Sequence, residues 1–95
     1  MIRTFRDKEA ERIFRREHSK KLPAELQRAA LRKLRMVNRA LKMNDLRVPP
    51  ANHLEKLKGD RRGQYSIRIN NQWRICFRWR DGDAFEVEIV DYHKR

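Results

Sequence analysis

Residues 65–90, YSIRINNQWRICFRWRDGDAFEVEIV, decide the fold of this chain. Large apolar side chains alternate with polar ones in three successive runs, which is the spacing of strands with one buried face. The runs are Tyr65, Ile67 and Ile69; Trp73, Ile75, Phe77 and Trp79; and Phe85, Val87 and Ile89. Turn-forming residues separate them, Asn70-Asn71 first and Asp81-Gly82-Asp83 second. The stretch therefore predicts three antiparallel strands whose large residues share one face.

The loops of the two hairpins must keep these large residues on the same side of the sheet. Pairing Ile69 with Trp73, and Arg80 with Ala84, achieves this because each loop then holds an odd number of residues. A loop of two residues would move one of the runs to the opposite face. We therefore predict an odd loop in both hairpins.

The same register predicts what lies on the polar face. Arg78 falls across from Glu86, which is a favourable cross-strand ion pair, whereas Arg68 falls across from Arg74 with no acid opposite either. Like charges at directly opposed positions repel each other unless an anion binds them or both side chains extend into water. We interpret Arg68 and Arg74 as a site that faces a phosphate.

The N-terminal half has helical character. After a short strand at residues 2–5, a first helix is predicted from Asp7, a capping residue, to about residue 16, with Ile13 and Phe14 on its apolar side. A second helix begins near Pro23, and its apolar stripe comprises Leu26, Ala30, Leu34, Val37 and Leu41. The predicted fold is α+β, a single domain over residues 1–95 in which two N-terminal helices pack on a small antiparallel β-sheet of three or four strands.

The chain is strongly basic. Its 95 residues contain 25 Lys and Arg against 13 Asp and Glu, which gives a net charge of +12. Such an excess is typical of proteins that bind a polyanion. An anionic membrane surface is the competing partner, but the sequence contains no long apolar stretch or lipidation signal. Arginines on the second helix, Arg32, Arg35 and Arg39, either contact RNA or form a solvated helix face.

Cysteine and histidine usage points away from disulfides, metals and cofactors. The only cysteine is Cys76, and the N-terminus is charged from the start, so we expect a reduced, cytoplasmic protein. His18, His53, His93 and Cys76 lack the spacing of metal ligands. No P-loop or dinucleotide pattern is present, and the sequence predicts neither a metal site nor a cofactor.

The stretch LEKLKGDRRGQYSIRINNQWRICFRWRDGDAFEVEIVDYH at residues 54–93, with the opening MIRTFRDKEAE, resembles the HigB toxins of the RelE/ParE superfamily. The likeness covers nearly the whole chain and is strongest in LKGDRRGQYSIRINNQWRI and the terminal VDYH. It implies a bacterial toxin of a type II toxin–antitoxin system. The implied activity is cleavage of messenger RNA in the 30S decoding site of the ribosome, which inhibits translation and arrests growth. The implied partners are the ribosome, the mRNA and a HigA-like helix-turn-helix antitoxin.

The resemblance also implies an active site for attack of a ribose 2′-OH on the adjacent phosphorus without a metal. Lys58 matches the family's active-site lysine, and Arg74 lies where a phosphate-stabilising arginine is expected. The family's C-terminal acid, tyrosine and histidine match Asp91, Tyr92 and His93. Arg74 and Lys58 would stabilise charge, His93 and Asp91 would transfer protons, and Tyr92 would orient or stack on a base. Further RNA contacts are predicted at Arg61, Arg62, Arg68, Arg32, Arg35 and Arg39.

One position departs from the family pattern. Well-known members carry a second active-site histidine where this chain has Glu55, and His53 lies two residues earlier. If this segment is extended, His53 and Glu55 point to the same side, so His53 would reach the same cleft. Glu55 would otherwise act as a base itself, or neither residue takes part.

Two other functions remain open at this point. One is a ParE-like inhibitor of DNA gyrase on the same fold, and the other is an RNA-binding module without catalytic activity. The lysine of LKGD together with the terminal DYH favours the nuclease, because poisoning gyrase does not require an acid–base cluster.

Overall fold

A computed structural model describes residues 1–92, and His93 lies outside the described residues. Three helices come first, α1 (Lys8–Phe14), α2 (Ala24–Arg39) and α3 (Asn44–Arg47). Four strands follow, β1 (Glu55–Lys56), β2 (Gln64–Arg68), β3 (Trp73–Arg80) and β4 (Asp83–Asp91), with 3₁₀ turns at Pro50–Asn52 and Gly59–Arg61. The strands form one antiparallel sheet in the order β1-β2-β3-β4. The predicted α+β fold, with two N-terminal helices on a small antiparallel sheet, is confirmed.

Local chemistry explains where the helices begin and end. Asp7 caps α1 as predicted, because its carboxylate accepts a hydrogen bond from the backbone N–H of Glu9 at 2.9 Å. Pro23 immediately precedes α2, which ends at Arg39. The backbone becomes extended at Ala40, and Leu41 is 83% exposed. Including Leu41 in the apolar stripe was therefore wrong, because the helical period no longer applies beyond Arg39.

The segment predicted as an opening strand lies beside β4 without forming a regular strand. Ile2 makes an isolated parallel bridge with Ala84, and Phe5 makes another with Val87. The N-terminal ammonium group also lies 3.0 Å from the carboxylate of Asp83. These contacts attach the start of the chain to the edge strand β4.

The first hairpin has the predicted odd loop. Arg68 pairs with Arg74, and the N–H of Ile69 donates to the carbonyl of Trp73 at 2.9 Å. Residues 70–72 form the loop, and the side-chain oxygen of Asn70 accepts from two backbone N–H groups across it. The prediction for this hairpin is confirmed.

The second hairpin differs from the prediction. Arg80 pairs with Asp83, so the loop holds only Asp81 and Gly82, both in the left-handed region with φ of 52° and 81°. Asp-Gly is a preferred pair for such two-residue turns. The prediction that Arg80 pairs with Ala84 was wrong, because it did not include the β-bulge that follows in β4.

The bulge restores the buried face beyond the turn. The register shifts between Cys76 and Arg78, so that Glu86 and Val87 both lie opposite Phe77, and Glu86 has a φ of 52°. Val87 consequently faces the core, whereas Phe85 pairs with Arg78 on the polar face. Placing Phe85 in the core was therefore wrong. The predicted Arg78–Glu86 ion pair does form, at 3.3 Å, although the two residues are not directly opposed.

The core lies between the helices and one face of the sheet. Its most deeply buried large side chains come from α2, α3, β2 and β3: Leu26, Leu34, Leu46, Ile67, Ile75 and Phe77. Burying each contributes about 1.5–3 kcal/mol relative to its exposure to water. Trp73 and Trp79 pack against this core as predicted. Within residues 1–92, no helix has the length and apolar character needed to cross a membrane.

Candidate active site

The candidate site lies on the polar face of the sheet, opposite the helices. Strand alternation places Ser66, Cys76 and Glu88 side by side on β2, β3 and β4, with Arg74 two residues before Cys76 on the same face. The segment between α3 and β2 partly covers this face, because both Arg74 and Glu88 form contacts with it. The result is a partly enclosed polar region at the centre of the sheet.

Arg74 is the cation of this region that the surrounding groups contact most extensively. Its side chain is 10% exposed, and its Nε donates to the Oγ of Ser66 at 2.8 Å. The Nη2 nitrogen donates to the backbone carbonyl of His53 and lies 3.1 Å from Oε1 of Glu55. The ring of Tyr92 lies 5.4 Å from the guanidinium carbon. Four different groups therefore hold one guanidinium in place.

This arrangement suits the binding of a phosphate. A guanidinium has five N–H donors, and the contacts through Nε and Nη2 do not use them all. A cation that is already fixed by the protein stabilises developing negative charge without having to reorganise. Arg74 is therefore able to stabilise the additional charge that a phosphate acquires when it is attacked.

Glu55 brings a carboxylate to Arg74. It lies opposite Ser66 in the β1–β2 pair, and its side chain is 54% exposed. No acid is directly opposite Arg74 in the sheet, as the register predicted, because its paired residues are Arg68 and Val90. Glu55 reaches the guanidinium from β1, which was not predicted as a strand. Glu55 touches both solvent and Arg74, so it can accept a proton from a substrate held at the same guanidinium.

Arg68 pairs with Arg74 as predicted, but the two cations have separate partners. Arg68 donates through Nε to the carbonyl of Asn70 at 3.1 Å and through Nη2 to the side-chain oxygen of Asn71. Repulsion between the two arginines is thus reduced by Glu55 on one side and by the turn oxygens on the other. Arg68 does not contribute a hydrogen bond to the group around Arg74.

Arg61 and Cys76 lie beside this group. Arg61 lies 2.9 Å from the carboxylate of Glu88, and that hydrogen bond raises the pKa of the guanidinium. Burial raises the pKa of the Cys76 thiol, although the nearby Arg61 opposes the shift. Cys76 therefore remains a protonated thiol at neutral pH.

Within residues 1–92, Lys58 and Asp91 are not among the groups found around Arg74. Lys58 follows β1 and precedes the Gly59–Arg61 turn; its side chain is exposed and makes no hydrogen bond or ion pair with any residue that the structure describes. Asp91 pairs with Trp73, which places it on the core side of the sheet, and it accepts a hydrogen bond from Gln72 at 3.0 Å. The predicted active-site histidine, His93, lies outside the described residues.

His53 does not have the conformation that the sequence analysis assumed. Its φ is 43°, in the left-handed region, so His53 and Glu55 do not alternate along an extended segment. The backbone carbonyl of His53 contacts Arg74, while His53 also lines a separate hollow of about 410 Å³ together with Arg32, Lys33 and Arg68. His53 thus connects two neighbouring basic regions.

The other predicted RNA contacts lie on the surface. Arg32, Arg35 and Arg39 line a shallow depression of about 310 Å³ along α2. Arg62 is exposed next to the Gly59–Arg61 turn, and its carbonyl accepts a hydrogen bond from Arg78. These positions remain predictions.

Sequence reasoning missed Ser66, which is completely buried and fixes Arg74. The signal was available, because strand alternation places Ser66 on the polar face beside the strand of Arg74. Among residues 1–92, no three His, Cys, Asp or Glu side chains come together as metal ligands.

Comparison with known proteins identifies similar sequences over almost the full length of the chain. A family model described as "RelE-like toxin of type II toxin-antitoxin system HigB" matches residues 3–93. The protein named Toxin HigB-1 of Vibrio cholerae is 38% identical over 95 residues, covering 99% of both chains. The protein named Endoribonuclease HigB of Proteus vulgaris is 31% identical over 93 residues, covering 98% of this chain and all of its own.

A solved structure has the same fold. The crystal structure of a YafQ mutant from E. coli superposes with a TM-score of 0.67, covering 99% of this chain and 94% of the other. The two sequences are only 10% identical, so this similarity concerns the fold alone.

Proposed function

The chain belongs to the HigB toxins of type II toxin–antitoxin systems, and we propose that it is a metal-independent endoribonuclease that cuts messenger RNA on the ribosome. The observation that carries this proposal is the contact of Arg74 with Glu55, because it joins a fixed cation to an accessible base. The name of the Proteus vulgaris relative, Endoribonuclease HigB, supports the same type of reaction.

The proposed reaction uses the RNA's own nucleophile. The 2′-oxygen attacks the adjacent phosphorus while the Glu55 carboxylate accepts the 2′-OH proton. Arg74 donates hydrogen bonds to the phosphoryl oxygens and stabilises the charge that they gain. The bond between phosphorus and the 5′-oxygen then breaks, and that oxygen takes up a proton. The products carry a 2′,3′-cyclic phosphate and a 5′-OH.

The remaining residues have supporting roles in this proposal. Tyr92 lies against Arg74, where its ring limits the movement of the guanidinium and offers a surface to a base. Lys58 is proposed to approach the phosphate from the exposed end of β1. His93 is proposed as the acid that protonates the 5′-oxygen. Asp91 is proposed to support the C-terminal segment and not to transfer a proton, because it lies on the other side of the sheet.

The open position of Glu55 favours dependence on the ribosome. About half of this side chain is exposed, so the part of the site within residues 1–92 leaves the carboxylate open to solvent. Such an open site does not by itself align a substrate for attack. The ribosome would hold the RNA in attack geometry, and such positioning contributes several kcal/mol to catalysis. We propose that the toxin acts in the bacterial cytoplasm and that a HigA-like helix-turn-helix antitoxin restrains it.

The test is expression of the chain without its antitoxin, followed by mapping of RNA 5′ ends. We expect growth arrest and new ends within translated regions, in phase with codons, whereas Arg74→Gln produces neither. Arg78→Gln is the matched control, because Arg78 lies on the same strand and face but contacts Glu86. Growth arrest with intact mRNA and damaged DNA would indicate a gyrase inhibitor. Binding of RNA without any new ends would indicate a non-catalytic module.

A further inference from the structure

A second basic region lies at one end of the sheet, next to the site of Arg74. We call it the basic hollow, and its cations are Arg32 and Lys33 from α2 and Arg68 from β2, with His53 at its edge. Ala51, Ile69, Asn70 and Asn71 complete the lining, and among residues 1–92 no lining residue is acidic. Its volume of about 410 Å³ is sufficient for a phosphodiester group and its hydration water.

Among the described residues, no carboxylate pairs with a cation of the basic hollow, whereas three nearby arginines each have one. Arg74 contacts Glu55, Arg61 contacts Glu88, and Arg78 contacts Glu86. By contrast, within residues 1–92 none of the three cations of the hollow takes part in an ion pair. Cations that converge without an acid repel one another, and an anion bound between them would remove that repulsion.

Two of these cations are also held in place. Lys33 is 8% exposed, and its Nζ donates to the side-chain oxygen of Asn52 at 2.6 Å. An ammonium group has three donors, and Asn52 accepts only one of them. Arg68 is fixed by its bonds to the loop oxygens of Asn70 and Asn71. A bound anion would therefore meet donors that have already lost much of their side-chain entropy.

Burial and the charge of Arg32 lower the pKa of Lys33. Within residues 1–92 no carboxylate forms an ion pair with Lys33 that would offset these two effects, and its one hydrogen-bond acceptor is the neutral amide of Asn52. A bound anion would oppose both, because it supplies the missing negative charge.

We infer that the basic hollow binds the RNA phosphate adjacent to the one held by Arg74, on the same strand. This inference rests on the proposed function. Arg68 and Arg74 are directly opposed in the sheet, where paired Cα atoms lie about 4.5–5.5 Å apart. His53 touches both regions, since its carbonyl contacts Arg74 and the residue lines the hollow. Neighbouring phosphates of a single strand therefore match neighbouring cation sites, and the hollow would fix the RNA's register relative to Glu55.

The experiment measures binding of short RNAs that carry one neutral methylphosphonate linkage, moved one position at a time. A 2′-deoxy sugar at the cleavage position prevents the reaction. The purified full-length protein is compared with Arg32→Gln, Arg68→Gln, Arg74→Gln and the control Lys20→Gln, which changes the charge equally at an exposed position outside the hollow. Lys33→Met is a further variant, included only if circular dichroism shows it folded, because Lys33 is buried.

We expect two neighbouring linkages to behave differently. Neutralising one weakens binding to the wild type about tenfold but has less than a twofold effect on Arg74→Gln, as expected when a charge-assisted bond has already been removed. Neutralising the next linkage also weakens binding to the wild type about tenfold. This weakening is lost in Arg32→Gln and in Arg68→Gln. Each of these two variants should also reduce the slope of log K against log salt by about 0.7, while Lys20→Gln retains both linkage effects.

Several results would overturn the inference. One is a scan in which Arg32→Gln and Arg68→Gln change the effect of no linkage. Another is a linkage that depends on these two arginines but is not adjacent to the one that depends on Arg74. The third is the absence of measurable RNA binding. The proposed function fails separately, if programmed ribosomes show no cleavage that depends on Arg74. Because the scan measures binding and not cleavage, the two failures can be told apart.

Discussion

Replacing Ser66 with alanine tests whether Arg74 acts because it is held in one position. The Oγ of Ser66 accepts a hydrogen bond from Nε of Arg74 at 2.8 Å, and both side chains are buried. Alanine removes this acceptor without adding volume, so the Nε donor loses its partner. Glu55 and the His53 carbonyl still hold the other end of the guanidinium through Nη2, which leaves it free to pivot about that end.

The magnitude follows from the type of bond that is lost. A hydrogen bond to a charged group contributes about 1.5–3 kcal/mol. Since every 1.36 kcal/mol is a factor of about ten in rate, complete loss of Arg74's orientation would reduce kcat about 10- to 100-fold. We expect the lower end, about tenfold, because the contacts of Nη2 and the contact with the Tyr92 ring remain. The free energy of unfolding should also fall by about 1–2 kcal/mol.

The assay is single-turnover cleavage of mRNA on programmed ribosomes, together with urea unfolding of each variant. Ser19→Ala is the matched control, because Ser19 is equally buried and its Oγ donates to Glu9 at 2.6 Å, far from Arg74 in the fold. It should lose comparable stability but cleave at the wild-type rate when folded. If Ser66→Ala cleaved like the wild type, or if Ser19→Ala lost as much activity, orientation of Arg74 by Ser66 would not contribute to catalysis.

Three further predictions concern titratable groups. Glu55→Gln should reduce cleavage by about two orders of magnitude, as expected for loss of a general base, whereas Glu55→His should retain activity because imidazole is also a base. Equal activity of Glu55→Gln and the wild type would exclude Glu55 as the base. The N-terminal ammonium and Arg3 lower the pKa of Asp83, so this carboxylate stabilises the fold above its unfolded pKa and the stabilisation is lost as the pH falls through its folded pKa. Asp83→Asn should therefore lower the Tm at pH 7 and have no effect well below about pH 3, and a Tm difference that persists in acid would contradict this. Burial raises the pKa of the Cys76 thiol. At neutral pH a thiol-specific disulfide reagent should therefore modify the native protein slowly and the urea-unfolded protein fast. Fast modification of the native protein would contradict the burial of Cys76.

Much of the fold was predictable because the patterns that specify it are local. The capping of α1 by Asp7 and the loop between Ile69 and Trp73 depend on residues only a few positions apart. The register of the second hairpin was predicted incorrectly, since an Asp-Gly turn combined with a bulge at Glu86 gives almost the same burial as an odd loop without one. Alternation alone does not distinguish the two, and Phe85 was consequently assigned to the wrong face.

The candidate site was predictable only in part. The prediction of Arg74 and Tyr92 as site residues followed from the family pattern, and the structure places these two residues together. Whether Lys58, Asp91 and His93 take part stays a prediction. Ser66 escaped attention because it carries no charge and matches no motif, although its position on the polar face was implied by alternation.

By itself, the sequence determined the two main helices, the three long strands, the face of the sheet that is buried, and the family. These properties depend on periodicity and on motifs, which can be read along the chain without knowing what lies across from them. Only the tertiary structure decided that Glu55 meets Arg74, that His53 turns away from Glu55, and that cations of α2 and β2 surround one hollow. These contacts join residues far apart in the chain, and their geometry depends on a two-residue strand and a left-handed backbone conformation that have no distinct sequence pattern.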